Sequence, residues 1–337
     1  MMTRFSLTEY LEASGTIIDV RSPCEFEQGR IPSAINLPLF TNSERSQIGT
    51  IYKQQGEQKA IELGHEIIQP KINELVTQAK EISNGSPVKI HCWRGGMRSQ
   101  SVVNHLQSLG ISAISLEGGY KAFRKWALET LTKPLDIHVL GGYTGCGKTE
   151  ILHALRDLGQ QTLDLESLAN HRGSSYGMIG MSPQPTTEQF QNEIAVIWGS
   201  FDPSQPVWIE DENRMIGTCE VPNSIYSQKS MSSLYYIERP RSERLQILKK
   251  GYGDATSQEL VESTKRIEKR LGGKRTKEVL EDIQTGNLQR AAEQVLDYYD
   301  KAYEYALKQR EGENLRFHES NLTTLQWAEL LIRADAC

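Results

Sequence analysis

Short β-branched and apolar runs, each ending in polar residues, recur through the first third of this chain. TIIDVRS (Thr16–Ser22), VKIHC (Val88–Cys92) and SAISL (Ser112–Leu116) read as buried strands. Apolar residues recur at helical spacing over Glu57–Gly64, Ile72–Ile82, Arg98–Leu109 and Tyr120–Leu131. Strands alternating with helices predict an α/β fold with a parallel sheet. Pro134 breaks the pattern in TLTKPLD (Thr130–Asp136), and IHVLGG opens a second α/β pattern. From Gln258 onward the spacing predicts helix almost throughout, a helical C-terminal region. The boundary falls near residue 132, giving two domains, 1–131 and 132–337.

Composition changes this picture little. At 38% hydrophobic and 24% charged, the chain reads as an ordinary soluble globular protein. No run approaches the roughly 18 apolar residues of a membrane helix. Met1–Tyr10 lacks a basic region followed by an apolar core, so no secretory signal is expected. Cys24, Cys92, Cys146, Cys219 and Cys337 are scattered, with no CxxC pair. Neither a metal site nor a disulfide framework is expected, and the reading is a reducing cytoplasm. The net charge of −5 argues against a protein coated in positive charge, but not against a local nucleic-acid site. The densest basic stretch is KRIEKRLGGKRTK, Lys265–Lys277. Its Lys265, Lys269, Arg270, Lys274 and Arg275 are candidates for tracking nucleic-acid phosphates, or else a solvated helix face.

Candidate chemistry centres on HCWRGGMRS, His91–Ser99. Cys92 follows a strand and precedes a helix expected to begin near Met97 or Arg98. The helix N-terminus, inward amides and the charges of Arg94 and Arg98 all favour a thiolate and an anion cradle there. Gly95 and Gly96 supply the backbone freedom of a tight ring. The catalytic candidates are therefore Cys92, Arg94 and Arg98.

IIDVRSPCEFEQGRIPSAINLP (Ile17–Pro38) resembles the N-terminal signature of the rhodanese family, through Asp19, Arg21, Glu25, Phe26, Gly29, Ile31, Pro32, Ala34, Asn36 and Pro38. Arg30 and Ser33 depart from the usual His and Gly. The usual sulfur-transfer loop of that family has four residues between Cys and Arg; this one has five, which also resembles cysteine-dependent phosphatases. The wider ring suits a tetrahedral phosphorus group.

GYTGCGKT (Gly142–Thr149) fits G-x-x-x-x-G-K-[ST], after the strand DIHVL and before a helical run. Gly142, Gly145, Gly147, Lys148 and Thr149 form the expected phosphate loop, with Thr149 a ligand should Mg²⁺ bind. Glu210, Asp211 and Glu212 after Val207–Ile209, or Asp164, are candidate carboxylates for that metal. His171 and Arg172 are candidates for facing the loop.

The fusion of these halves resembles the tRNA 2-selenouridine synthase family, carried by CWRGGMRS, LEGGYKAFRKW (Leu116–Trp126), GGYTGCGKTE and LESLANHRGS (Leu165–Ser174). The resemblance implies an N-terminal rhodanese-like domain with a C-terminal P-loop domain. It implies exchange of sulfur for selenium at wobble 2-thiouridine of tRNA. Selenophosphate, made by selenophosphate synthetase, and geranyl diphosphate would be co-substrates, with no tightly bound cofactor. The implied route passes through an S-geranylated base, with Cys92 holding selenium as a selanyl-sulfide. The phosphate loop would take geranyl diphosphate or a tRNA phosphate. Apolar residues of Ser43–Gly64 (Ile48, Ile51, Tyr52, Ile61, Leu63) would line a prenyl pocket, or else pack as a helix on the sheet. Two other readings remain open: a rhodanese-fold cysteine phosphatase, and a persulfide carrier, each with a P-loop regulatory domain.

Overall fold

The computed structural model describes residues 4–310 and 312–335; Cys337 lies outside them. The chain divides into two compact units, Met1–Thr130 and Leu131–Cys337.

The first unit is built on strands β1 (Arg4–Phe5), β2 (Thr16–Asp19), β3 (Ile35–Asn36), β4 (Val88–His91) and β5 (Ala113–Leu116). They form one parallel sheet in the order β1-β5-β4-β2-β3. All four residues of β4 are buried, as a strand covered on both faces requires. The core joins Ile18, Val88, Ile90, Val103 and Leu106. The chain leaves β4 toward β5 on one side and leaves β2 toward β3 on the other. This switch opens a crevice at the strands' C-terminal ends. Cys92 follows β4 and Arg21 follows β2, so both sit at that crevice.

The second unit uses β6 (Ile137–Gly142), β7 (Gln161–Leu163), β8 (Val207–Glu210), a short antiparallel pair β9 (Met215–Ile216) and β10 (Cys219–Glu220), then β11 (Ser233–Glu238) and β12 (Asn314–His318). Its main sheet is also parallel, in the order β12-β11-β6-β8-β7. Every residue of β6 and β8 is buried. The switch lies between β6 and β8, whose C-terminal ends bring Gly142 and Glu210 to the same edge of the sheet, Glu210 in register with Leu140.

The expectation of nearly continuous helix after Gln258 is corrected by β12, an edge strand at Asn314–His318. Its residues alternate, with Leu315 and Phe317 packed against the core and Asn314, Arg316 and His318 exposed. That period of two supports a strand, and pairing with β11 supplies its hydrogen bonds. The segment Ser43–Gly64 also holds more helix than its spacing suggests. Two helices, Asn42–Gln55 and Glu57–Ile68, meet at Gly56. Thr41 and Glu44 form a capping box at the first of them. Ile48 packs on the core, whereas Ile51 and Leu63 line an open groove with Ser43, Ser46, Gln47 and Thr50.

Beneath the cysteine crevice lies a fully buried ion pair. The guanidinium of Arg21 donates Nε and NH2 to the Asp19 carboxylate, the NH2 contact being 2.6 Å, and both side chains are 0% exposed. Breaking one partner of such a pair leaves an uncompensated buried charge. Asp19→Asn should therefore cost about 3–5 kcal/mol of stability. Urea denaturation of the full chain would check this; a loss under about 1 kcal/mol would mean the pair behaves like a surface one.

Candidate functional site

Cys92 lies at the floor of a loop between β4 and the helix Met97–Ser108, and is 2% exposed. Its Sγ sits 3.3 Å from the hydroxyl of Ser99, a fully buried residue that also donates to the Gly96 carbonyl. Among the described residues, no acceptor meets the N–H groups from Arg94 to Ser99. Consecutive unpartnered donors at a helix start are a site for an anion. Gly95 holds φ +62°, and a Cβ there would lie 2.2 Å from the Leu116 carbonyl oxygen. Gly119 holds φ +59°, and its Cβ would lie 2.3 Å from the Cys92 oxygen and 2.4 Å from the Gly95 nitrogen. The loop thus rests directly on the turn after β5. Tyr120 N–H donates to the Cys92 carbonyl and Lys121 N–H to that of Trp93.

The charges differ from a bare pair of arginines. Arg98 donates to Glu25 at 3.2 Å, so part of its charge is spent on that carboxylate. Burial pushes the Glu25 carboxyl up, but Arg98, the Ser22 N–H and Arg45 outweigh it and hold its pKa below the usual range. Arg94 is exposed and has no ion-pair partner among the described residues. Arg21 stands with its guanidinium carbon 3.9 Å from the Tyr120 ring centroid and 5.8 Å from that of Trp93. His91 Nε2 lies 3.2 Å from Asp19, and its Nδ1 lies 3.3 Å from the Tyr10 hydroxyl. Burial raises the Asp19 pKa, yet His91 and Arg21 pull it well below the usual carboxylate range. Glu25 and Ser99 were within reach of the sequence, as a rhodanese signature position and as the residue after Arg98. Their contacts were not.

In the second unit, Gly142, Gly145 and Gly147 turn β6 into the helix Lys148–Asp157, and Gly145 and Gly147 have left-handed φ values of +80° and +79°. Arg244, from the helix Arg241–Tyr252, ties this loop down. Its Nε donates to the Thr144 carbonyl at 2.9 Å, and its two terminal nitrogens grip Asp300. Nothing in the sequence singled out Arg244. Lys148 faces the Tyr303 ring, 5.7 Å from its centroid. Burial opposes its charge, but Tyr303, Cys146, Glu212 and Glu166 hold its pKa well above the ordinary value.

The Thr149 hydroxyl lies 2.8 Å from Glu210 and 3.1 Å from Glu166. Of the weighed carboxylates, Glu210 therefore reaches Thr149. Asp211 turns instead to Lys229 and Arg310, while Asp164 caps Leu165–Leu168 and pairs with His153 at 2.7 Å. Glu212 sits with Glu166 near Lys148, and Glu166 was a member of the group the sequence did not identify. Burial and the neighbouring Glu212 push Glu166 up to about 8, and burial with Glu166 pushes Glu210 well up. One Glu210 oxygen is buried without a partner. Among the described residues, no three His, Cys, Asp or Glu side chains form a group that would hold a metal by themselves. The oxygen donors of Thr149 and Glu210 fit Mg²⁺ only in company with ligand phosphate oxygens. Arg172 does not meet the loop: it donates to the Gly251 carbonyl and covers the Tyr252 ring. His171 is buried, and burial together with Arg266 lowers its pKa.

The basic stretch spans the helices Ser257–Arg266, Glu268–Leu271 and Gly273–Gln284. Ile267, Leu271 and Val279 turn inward to a small core. Lys265, Lys269, Arg270 and Lys274 are exposed and Arg275 is half-buried; none has an ion-pair partner among the described residues. No helix among the described residues is long and apolar enough to cross a membrane.

Comparison with known proteins gives two family matches. Residues 6–125 match the rhodanese-like domain, and residues 135–332 match the tRNA 2-selenouridine synthase AAA domain. The chain is similar to the tRNA 2-selenouridine synthases of Pseudomonas fluorescens (36% identical, covering 90% of this chain and 91% of that one) and Marinobacter nauticus (33%, covering 89% and 90%). It is also similar to that of Shewanella sp. strain ANA-3 (33%, covering 94% and 95%).

The raised Glu166 pKa carries a pH signature. In the folded chain it titrates at about 8, against an ordinary value of 4.5. Its contribution to stability is full below about 4.5 and is lost as pH rises toward 8. Glu166→Gln keeps the protonated shape and removes this loss. The variant should gain thermal stability relative to wild type as pH is raised from 5.5 to 8.5. Parallel melting curves at the two pH values would refute the assignment.

Proposed function

This chain belongs to the tRNA 2-selenouridine synthase family, and on that premise we propose that it replaces the sulfur of wobble 2-thiouridine in tRNA by selenium. In this reading selenium comes from selenophosphate, supplied by a selenophosphate synthetase, and the base is first S-geranylated by geranyl diphosphate. The 2-thio sulfur attacks the allylic carbon, the carbon–oxygen bond breaks, and diphosphate leaves. Selenium then replaces the geranylthio group at C2, so that geranyl thiol leaves, and water accounts for phosphate as the other product. Both co-substrates are consumed, so no tightly bound cofactor is required.

The observation that carries the reading is the row of N–H groups from Arg94 to Ser99, unpartnered among the described residues and following Cys92 in the chain, in a protein that also has a phosphate loop. A phosphate-bearing selenium donor fits the first cradle. Geranyl diphosphate fits the second, with amides of Gly145–Lys148 and the Lys148 charge on the departing diphosphate. Thr149 and Glu210 would hold Mg²⁺ there, whose charge would offset that of the diphosphate. The exposed bases Lys265, Lys269, Arg270 and Lys274, with Arg275, suit the tRNA backbone. A phosphatase acting on alcohol esters fits less well. It needs a protonated acid for the leaving alcohol, and Glu25 is held ionised by Arg98.

Three variants test the reading in full-length protein, followed by mass spectrometry of tRNA nucleosides. Cys92→Ser should form S-geranyl-2-thiouridine but no selenouridine; normal selenouridine would remove Cys92 from the mechanism. Lys148→Ala should still convert pre-geranylated tRNA but make little of it from 2-thiouridine tRNA. Equal loss of both steps together with loss of tRNA binding would make the phosphate loop a tRNA-backbone site. Reversing the charges of Lys269, Arg270, Lys274 and Arg275 should lower the log–log salt slope of tRNA binding by roughly 0.7 to 0.9 per lost contact. An unchanged salt titration would leave the stretch a solvated face.

A further inference from the structure

We infer that Cys92 takes the phosphoryl group of selenophosphate rather than its selenium. The inference rests on the selenophosphate reading above and concerns which atom the thiolate attacks. Electron counting sets the problem. A selanyl-sulfide on Cys92 holds selenium and sulfur together two electrons more oxidised than a thiolate beside selenophosphate. Forming it by direct attack on selenium would expel phosphorus as phosphite, and release of phosphate would require an added oxidant. Attack on phosphorus balances without one. The Cys92 thiolate bonds to phosphorus, the phosphorus–selenium bond breaks, and its electron pair leaves with selenium as hydrogen selenide anion. That anion displaces the geranyl thiolate from C2 of the base, and the thiolate takes a proton from solvent. Water then cleaves the sulfur–phosphorus bond and returns thiol and phosphate.

The geometry suits each part. The N–H groups of Arg94 to Ser99 are unpartnered among the described residues and belong to the loop that begins at Cys92, so donors are free there for phosphoryl oxygens. Arg98 stands over the same loop, held by Glu25 at 3.2 Å. The lack of a proton donor, which counts against an ordinary ester substrate, is no obstacle here. Hydrogen selenide is a strong enough acid to leave as its anion, so the ionised Glu25 need not serve. Ser99 is placed for the last step. Its hydroxyl is fully buried 3.3 Å from Sγ and donates to the Gly96 carbonyl at rest; turned toward the sulfur, it stabilises the thiolate as water displaces it from phosphorus. Ser99 thus acts on the sulfur directly, and its effect is read at breakdown of the intermediate.

The test uses the full-length protein, geranylated tRNA and selenophosphate labelled in separate runs with ³²P and ⁷⁵Se, quenched rapidly at alkaline pH and mapped by peptide. Near-stoichiometric ³²P on Cys92, with ⁷⁵Se free or in tRNA, is expected. Ser99→Ala should lengthen the life of the labelled cysteine by about tenfold, the worth of one hydrogen bond. Selenium on Cys92 without phosphorus would overturn the inference. So would selenouridine formed with ³²P on the tRNA base and none on Cys92. Selenophosphate left intact by the wild-type chain would instead refute the functional reading, and this inference with it.

Discussion

The cysteine site depends on the close approach of two backbone segments, the loop after β4 and the turn after β5. Gly95 and Gly119 meet where a side chain on either would overlap carbonyl oxygen or amide nitrogen of the other segment. Both hold left-handed φ values, so the contact excludes other residues twice, by space and by backbone angle. With Tyr120 and Lys121 donating to Cys92 and Trp93, the amides from Arg94 to Ser99 have no acceptor among the described residues. A ring of free donors is costly unless a ligand or water meets it. That cost is the physical basis of the anion site.

Below the ring, the rhodanese signature residues do structural work. Asp19 and Arg21 pair in full burial, Arg21 reaches the Gly29 carbonyl, and Asn36 ties the backbone of Asp19 and Arg21 together. Arg21 then supports Tyr120 and Trp93 from beneath. The signature is therefore a scaffold for the crevice floor, and Glu25 reaches the reactive loop through Arg98.

The two units repeat one solution in different chemistry. Each places a glycine-bearing loop at the switch point of a parallel sheet, where a strand end meets a helix start. The first puts a thiol at the centre of the cradle. The second surrounds it with Lys148 and three glutamates whose protons are held by burial and mutual repulsion. A bound phosphate with a cation would relieve that repulsion, which links the loop's charge balance to occupancy.

Much was legible in local sequence. HCWRGGMRS and GYTGCGKT specify loops by glycine placement, and the strands flanking them read as buried β-branched runs, because backbone angle and burial period are local properties. The β4 loop opens a helix at Met97, as its spacing predicts. What the sequence did not carry was pairing across distance. Asn314–His318 looked helical because its neighbours are; only the open edge of β11 selects the strand. Among three consecutive acids, only tertiary structure turned Glu210 to Thr149 and Asp211 to Lys229. Arg244 and Glu166 lie 100 and 17 residues from the atoms they meet, and no local pattern marks a side chain whose partner arrives from another element. Local geometry was set by residue type; partner choice was set by packing, which sums over the whole fold.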